Sequence, residues 1–210
     1  MDFRITDLDK CFQIAAALPA APIYSFRWPN STICGHGLSQ NYLAYSVWNY
    51  IILTEKPDIV IEIGTSVGGF SCLLGKTCQA LKTYFVTYDI RQVNNPDFES
   101  HGVIARNIDV FSDDGMKEIE QSLGAKRDRK AILLCDGGNK IKEFNTFAGM
   151  IGSGSIIAGH DFIDGNNSIL HWAWSEINIP AISESVDRNH LVRYKPEWLT
   201  NAAWIAYKKS

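Results

Sequence analysis

Three features of the sequence predict an α/β fold, a doubly wound and mostly parallel sheet with a final antiparallel strand. First, the stretch Pro57–Phe70, PDIVIEIGTSVGGF, runs through nearly continuous β-branched residues into an acid and a glycine-rich turn, and FSCLLGKTCQAL follows with a helical pattern. Second, the short apolar runs TYFVTYD, KAILLCD and SIIAGHD each end in an acid and alternate with helix-like segments, the rhythm of βαβ units. Third, HLVRY and AAWIAYKK are joined only by PEWLTN. A link that short allows a hairpin but no helical crossover, so the last strand runs antiparallel to its neighbour.

Taken in order, residues 1–35 are expected to form an N-terminal cap segment. It includes a short helix near Asp7 to Ala17 and a loop holding Pro22, Phe26, Trp28 and Pro29. Residues 36–210 then make one domain. The run LSQNYLAYSVWNYIILT (Leu38 to Thr54) predicts a buried helix with Ser39 as its cap. After the first strand, Gly64, Gly68 and Gly69 allow a sharp turn and close approach of backbone to a ligand, just ahead of a helix N-terminus. Thr83 to Asp89 is the second strand, and the Asp89 carboxylate stands where it can accept both hydroxyls of a ribose. Gly102 to Asp109 is a weaker strand, with Asp109 directed to an adenine edge. Ser112 caps the helix SDDGMKEIEQSL, whose first-turn acids suit the macrodipole. Lys130–Asp136 is a strand, KEFNTFAGMI a helix, Ser155–Asp161 a strand and Asn167–Ile177 a helix. His190–Tyr194 and Ala202–Lys209 close the sheet.

Composition narrows the function classes. With 210 residues, a formal net charge of −3 and dispersed Lys and Arg, the chain has no electrostatic footprint for nucleic acid. A small-molecule substrate is expected, and a homo-oligomer is compatible with this reading. The five cysteines have no zinc spacing and read as reduced thiols of a cytoplasmic protein. No basic start with an apolar signal core is present, and no run reaches the roughly 20 apolar residues of a membrane helix, so no membrane partner is expected.

In a parallel sheet all the strand-end acids share one edge. Asp136, His160 and Asp161 meet there at two neighbouring strand ends. With no Lys or Arg expected between them, the carboxylates repel unless a divalent cation binds; Mg²⁺ suits the oxygens, and His160 also admits Mn²⁺.

The glycine turn lacks the G-x-G-x-x-G spacing of a dinucleotide site, and its match to a phosphate loop is off by one residue. Its actual spacing, acid-x-Gly-x-x-x-Gly-Gly, resembles the first motif of class I S-adenosylmethionine (SAM) methyltransferases. From about Thr32 to Asp161 the pieces PDIVIEIGTSVGG, TYD, LLCDGG and SGSIIAGHD are similar to the cephalosporin-hydroxylase-like and macrolide or rhamnosyl O-methyltransferase group. The resemblance implies a Rossmann-like fold of class I methyltransferase type. It further implies a cofactor site in which Glu62, Gly64, Thr65 and Gly68 border SAM, Asp89 its ribose and Asp109 its adenine. By the same resemblance Asp136 and Asp161 hold a metal that engages two substrate oxygens; His160, where relatives tend to have an acid, joins this metal site by its place at the same strand end. Relatives commonly carry a histidine base three residues after the first metal aspartate; here that position is Asn139, which leaves His160 and Lys140 as the candidate catalytic bases. The expected function is a SAM-dependent O-methyltransferase, assisted by Mg²⁺ or Mn²⁺, acting on a hydroxyl of a sugar or natural product. The alternatives are an NAD-linked oxidoreductase on a similar sheet and, given Asn139, a non-catalytic SAM-binding protein.

Overall fold

In a computed structural model, residues 32–33, 36–37, 40, 42–124, 128–164 and 175–210 are described. Two short strands, β1 (Thr32–Ile33) and β2 (His36–Gly37), pair antiparallel ahead of helix α1 (Tyr42–Glu55). The apolar run IVIEI becomes β3 (Ile59–Ile63), with all five residues buried. The glycine turn leads into α2 (Gly69–Leu81), and Lys82 in the left-handed conformation ends it. There follow β4 (Tyr84–Asp89), β5 (Ile104–Asn107) and α3 (Asp113–Leu123). Ser112 Oγ accepts from the Gly115 N–H at the start of α3, as the sequence predicts. The chain continues through β6 (Ala131–Cys135), α4 (Lys140–Phe147) and β7 (Ile156–His160). It ends with α5 (Ile179–Arg188), β8 (Leu191–Arg193), α6 (Pro196–Leu199) and β9 (Trp204–Lys209).

The seven-stranded sheet has the order β5-β4-β3-β6-β7-β9-β8. Pairing is parallel from β5 to β7, and β9 runs antiparallel to both β7 and β8. This is the doubly wound sheet with a final antiparallel strand that the hairpin argument requires. One face packs Trp48, Ile51, Phe70, Leu74 and Trp204, mostly from α1 and α2; the other packs Ile61, Phe144, Phe147, Ile182 and Tyr207 against α4 and α5. Each such side chain, fully buried, contributes about 1.5–3 kcal/mol. Among the described residues no helix is long and apolar enough to cross a membrane.

Two expectations change. The Asn167–Ile177 helix falls largely outside the described residues, and its last residue is not helical: Ile177 forms a parallel bridge with Phe162. A further helix that the sequence reading did not place, α5, is started by Asn178, whose side chain accepts from the Ala181 N–H, with Pro180 in its first turn. The cap segment, apart from β1, and the Ser39 cap also lie outside the described residues.

Candidate active site

The glycine turn is forced by its neighbours. Gly64 has φ 98°, and a Cβ there would lie 2.3 Å from the Asp136 carbonyl oxygen, so no side chain fits between the ends of β3 and β6. Gly68, at φ 83°, starts α2, and its missing Cβ would stand 2.6 Å from the Phe98 ring. Asp89 ties this turn to the end of β4: Oδ2 accepts from the Ser66 N–H at 3.0 Å and Oδ1 from the Arg91 N–H at 2.8 Å. Each carboxylate oxygen can accept more than one hydrogen bond, so hydroxyl acceptance remains open to Asp89.

These strand ends border a cavity of about 650 Å³ whose lining includes Gly64, Asp89, Asp109, Asp136, Lys140 and Glu176. That size lies within the usual range of small-molecule sites. Gly138 on its rim would meet nothing within 4 Å if it carried a Cβ, so the backbone there is open to close approach. Thr65 lines a smaller neighbouring hollow with Asp89 and shares a 2.7 Å hydrogen bond with Thr87 Oγ1. Asp109 lies two residues beyond the end of β5, where its Oδ1 accepts from the Phe111 N–H. A larger hollow of about 940 Å³ lies around Asp58, Tyr84 and α3, and none of the expected site residues lines it.

Glu62 corrects one expectation. Strand alternation turns it to the face of Val60, away from the cavity lining, and it is 1% exposed. Ser71 Oγ of α2 donates to its carboxylate at 2.5 Å. Burial pushes its pKa up to about 8, against the hydrogen bonds from Ser71 and Thr87. It supports the turn from beneath. Gly68 likewise shapes the turn and does not line the 650 Å³ cavity.

At the neighbouring strand ends Asp136, His160 and Asp161 do come together, with candidate ligand atoms within 4.8 Å of one another. The expected absence of a basic residue is overturned. Lys140, the first residue of α4, is 5% exposed and sends its Nζ to Asp161 Oδ2 at 3.1 Å, Asp136 Oδ1 at 3.7 Å and Glu176 Oε2 at 2.6 Å. Burial by itself would lower its pKa, but Asp136, Glu176 and Asp161 outweigh that and hold it above the ordinary lysine value. A general base needs a neutral amine, so Lys140 is corrected from candidate base to counter-charge.

His160 sits in a chain of hydrogen bonds. The Trp204 indole N–H, which can only donate, gives to Gln40 Oε1 at 3.0 Å, and this fixes the amide orientation. Gln40 Nε2 therefore donates to Asp136 Oδ2 at 2.5 Å. His160 Nδ1 lies 2.9 Å from Asp136 Oδ1, so a neutral ring carries its proton on Nδ1 and keeps Nε2 as the accepting nitrogen. Gln40, Glu176 and Trp204 were not foreseen from the sequence. Asn139 spends its side chain capping α4, accepting from the Lys142 N–H at 3.0 Å.

The donor set fits a hard divalent cation. Asp136 and Asp161 offer carboxylate oxygens, and the three acids outnumber the one ammonium among the described residues. Asp161 is also held at φ 58°, a backbone strain of the kind stored at functional sites.

This sheet, with β9 alone reversed and a glycine turn after its central strand, matches solved structures in its fold. The fold is that of the class I methyltransferases. Solved structures that share it include CmcI with Mg and SAM, at TM-score 0.59 and 10% identity over 86% of this chain and 77% of that one. MycE, a methyltransferase from the mycinamycin biosynthetic pathway solved with Mg and S-adenosylhomocysteine (SAH), gives TM-score 0.53 and 11% identity over 83% of this chain and 55% of its own. The SAH-bound Podospora anserina methyltransferase PaMTH1 gives TM-score 0.52 and 12% identity over 100% and 98%. No protein-family model matches the sequence, and no curated protein does.

Proposed function

We propose that the chain is a SAM-dependent O-methyltransferase, assisted by a divalent cation, that acts on a hydroxyl of a sugar or natural product. The observation that carries this reading is the 650 Å³ cavity, in which the Gly64 turn and Asp89 share a wall with the Asp136 and Lys140 cluster. The SAM, SAH and Mg in the structures of similar fold support it.

SAM supplies an electrophilic methyl group on a sulfonium. Of the residues that line the cavity, Gly64 would border the methionine end of SAM, Asp89 would accept the ribose hydroxyls and Asp109 would stand at the adenine side. Asp136 and Asp161 would hold Mg²⁺ or Mn²⁺, which would supply Lewis acidity toward the acceptor hydroxyl. His160 is the proposed acceptor of the proton through Nε2, because Asp136 engages Nδ1; it is 2% exposed and stands outside the residues that line the cavity. Orientation of acceptor against donor provides much of the remaining rate.

Titration calorimetry with SAM, SAH and NAD tests the reading. SAM and SAH should bind and NAD should not; tight NAD binding with none for SAM overturns it. A second reading, a non-catalytic SAM-binding protein, is favoured by Asn139, which caps a helix where a base is expected. A methyl product from a panel of hydroxylated acceptors excludes it.

A further inference from the structure

Lys140 is placed where an incoming cation must go. Its ammonium lies 3.1 Å from Asp161 and 3.7 Å from Asp136, the two carboxylates offered to a metal. Two cations that share these carboxylates at such distances oppose each other strongly in a site only slightly exposed to water. The ammonium also has partners outside the cluster of candidate ligands. It donates to the Gly137 carbonyl at 3.1 Å and meets Glu176 Oε2 at 2.6 Å, its shortest contact. Glu176 is the most exposed of the three acids, with its side chain 35% exposed against 11% for Asp161 and 13% for Asp136. Its backbone N–H donates to the Asp161 carbonyl at 2.9 Å, which keeps the Glu176 carboxylate beside the site.

We infer that Lys140 is the resident cation of the Asp136 and Asp161 site and sets its affinity for divalent metal by competition, with Glu176 as the carboxylate that retains the ammonium when metal enters. The inference rests on the metal-assisted part of the proposed function and deepens it. Metal affinity in this chain is thus governed by a pair, Lys140 and Glu176, that lies beside the ligands. Removing the competing charge strengthens metal binding. Removing Glu176 weakens it, because the ammonium then has only Asp136, Asp161 and the Gly137 carbonyl to hold it.

The test is a Mn²⁺ titration of the full chain, read by the electron paramagnetic resonance signal of free Mn²⁺, with no acceptor present. Lys140→Met should bind Mn²⁺ about 5- to 150-fold more tightly than the unmodified protein, the usual span of coupling between two bound species. Glu176→Gln should bind it more weakly. The double variant should resemble Lys140→Met alone, since Glu176 acts only through the lysine. Unchanged or weaker binding by Lys140→Met overturns the inference, as does a Glu176→Gln effect that persists without the lysine. If Lys140→Met does not fold, Lys140→Gln, which can still donate toward the Gly137 carbonyl, carries the same comparison. No Mn²⁺ binding by either protein at millimolar concentration also overturns it. SAM affinity measured on the same preparations separates that failure from a failure of the transferase reading.

Discussion

Asp161→Asn in metal-free protein should change stability little, although a pair of facing carboxylates alone would make it clearly stabilising. The two cases are separated by the position of Lys140. At an effective dielectric of about 20, the 3.1 Å contact between Lys140 and Asp161 is worth about 5 kcal/mol of attraction. Repulsion between Asp161 and Asp136, whose ligand atoms lie within 4.8 Å, is at least about 3.5 kcal/mol on the same scale. Glu176 adds further repulsion, and its distance to Lys140, 2.6 Å, means that the lysine is not left unpaired. These opposing contributions cancel to within about 1 kcal/mol, well below the cost of orphaning a buried charge. Asparagine also tolerates the left-handed backbone of Asp161, φ 58°, so the substitution adds no backbone penalty to confuse the reading. Urea unfolding in the presence of a chelator should show a midpoint close to that of the unmodified protein, with an unchanged slope. In a Lys140→Met background the same substitution should be clearly stabilising, because only the repulsion is then removed. A midpoint gain as large with Lys140 present as in the Lys140→Met background refutes the electrostatic account.

Asp89→Ala should weaken SAM binding by about 1.5–3 kcal/mol, or roughly 10–150-fold, through loss of charge-assisted hydrogen bonds; calorimetry on folded variant measures it, and an unchanged affinity removes Asp89 from the site. Gly68→Val should disrupt the turn, since it meets both the Phe98 ring at 2.6 Å and a φ of 83°; a folded variant with normal SAM affinity contradicts this. Glu62 ionises at about 4.5 when unfolded, but burial pushes it to about 8 in the fold, so stability is full below pH 4.5 and falls as pH rises toward 8. The urea midpoint of Glu62→Gln should fall less than that of the unmodified protein between pH 5 and pH 8.5, and parallel falls would count against the buried acid.

The sheet was legible because its signals are local. Β-branched runs such as IVIEI, the Gly64 turn and the Ser112 cap each act within a few residues, and the short link between β8 and β9 fixes their antiparallel pairing by chain length alone. Helix α5 was missed because the apolar and aromatic run before it gave the stronger helical pattern, while its own start rests on Asn178 and Pro180. The site was legible in its strand-end acids and not in what neutralises them. Gln40 reaches Asp136 across 96 residues, and Trp204 reaches Gln40 across 164. Pairings of that separation are made by packing of the whole sheet, and no local spacing announces them.

Lys140 is a different case, because the relevant signal was close at hand. Asp136 closes β6 and Lys140 opens α4 four residues later. Asn139 caps the helix, and Glu143 accepts from the backbone N–H groups of Gly137 and Asn139, so the intervening loop is tight. A loop drawn in that way cannot send its first helical side chain far from the strand end. The ammonium returns to the acids that precede it, and the same closeness that stabilises them in the absence of metal opposes a second cation. Charge neutralisation and cation binding are therefore two uses of one set of carboxylates, and the residue that supplies the first controls the second.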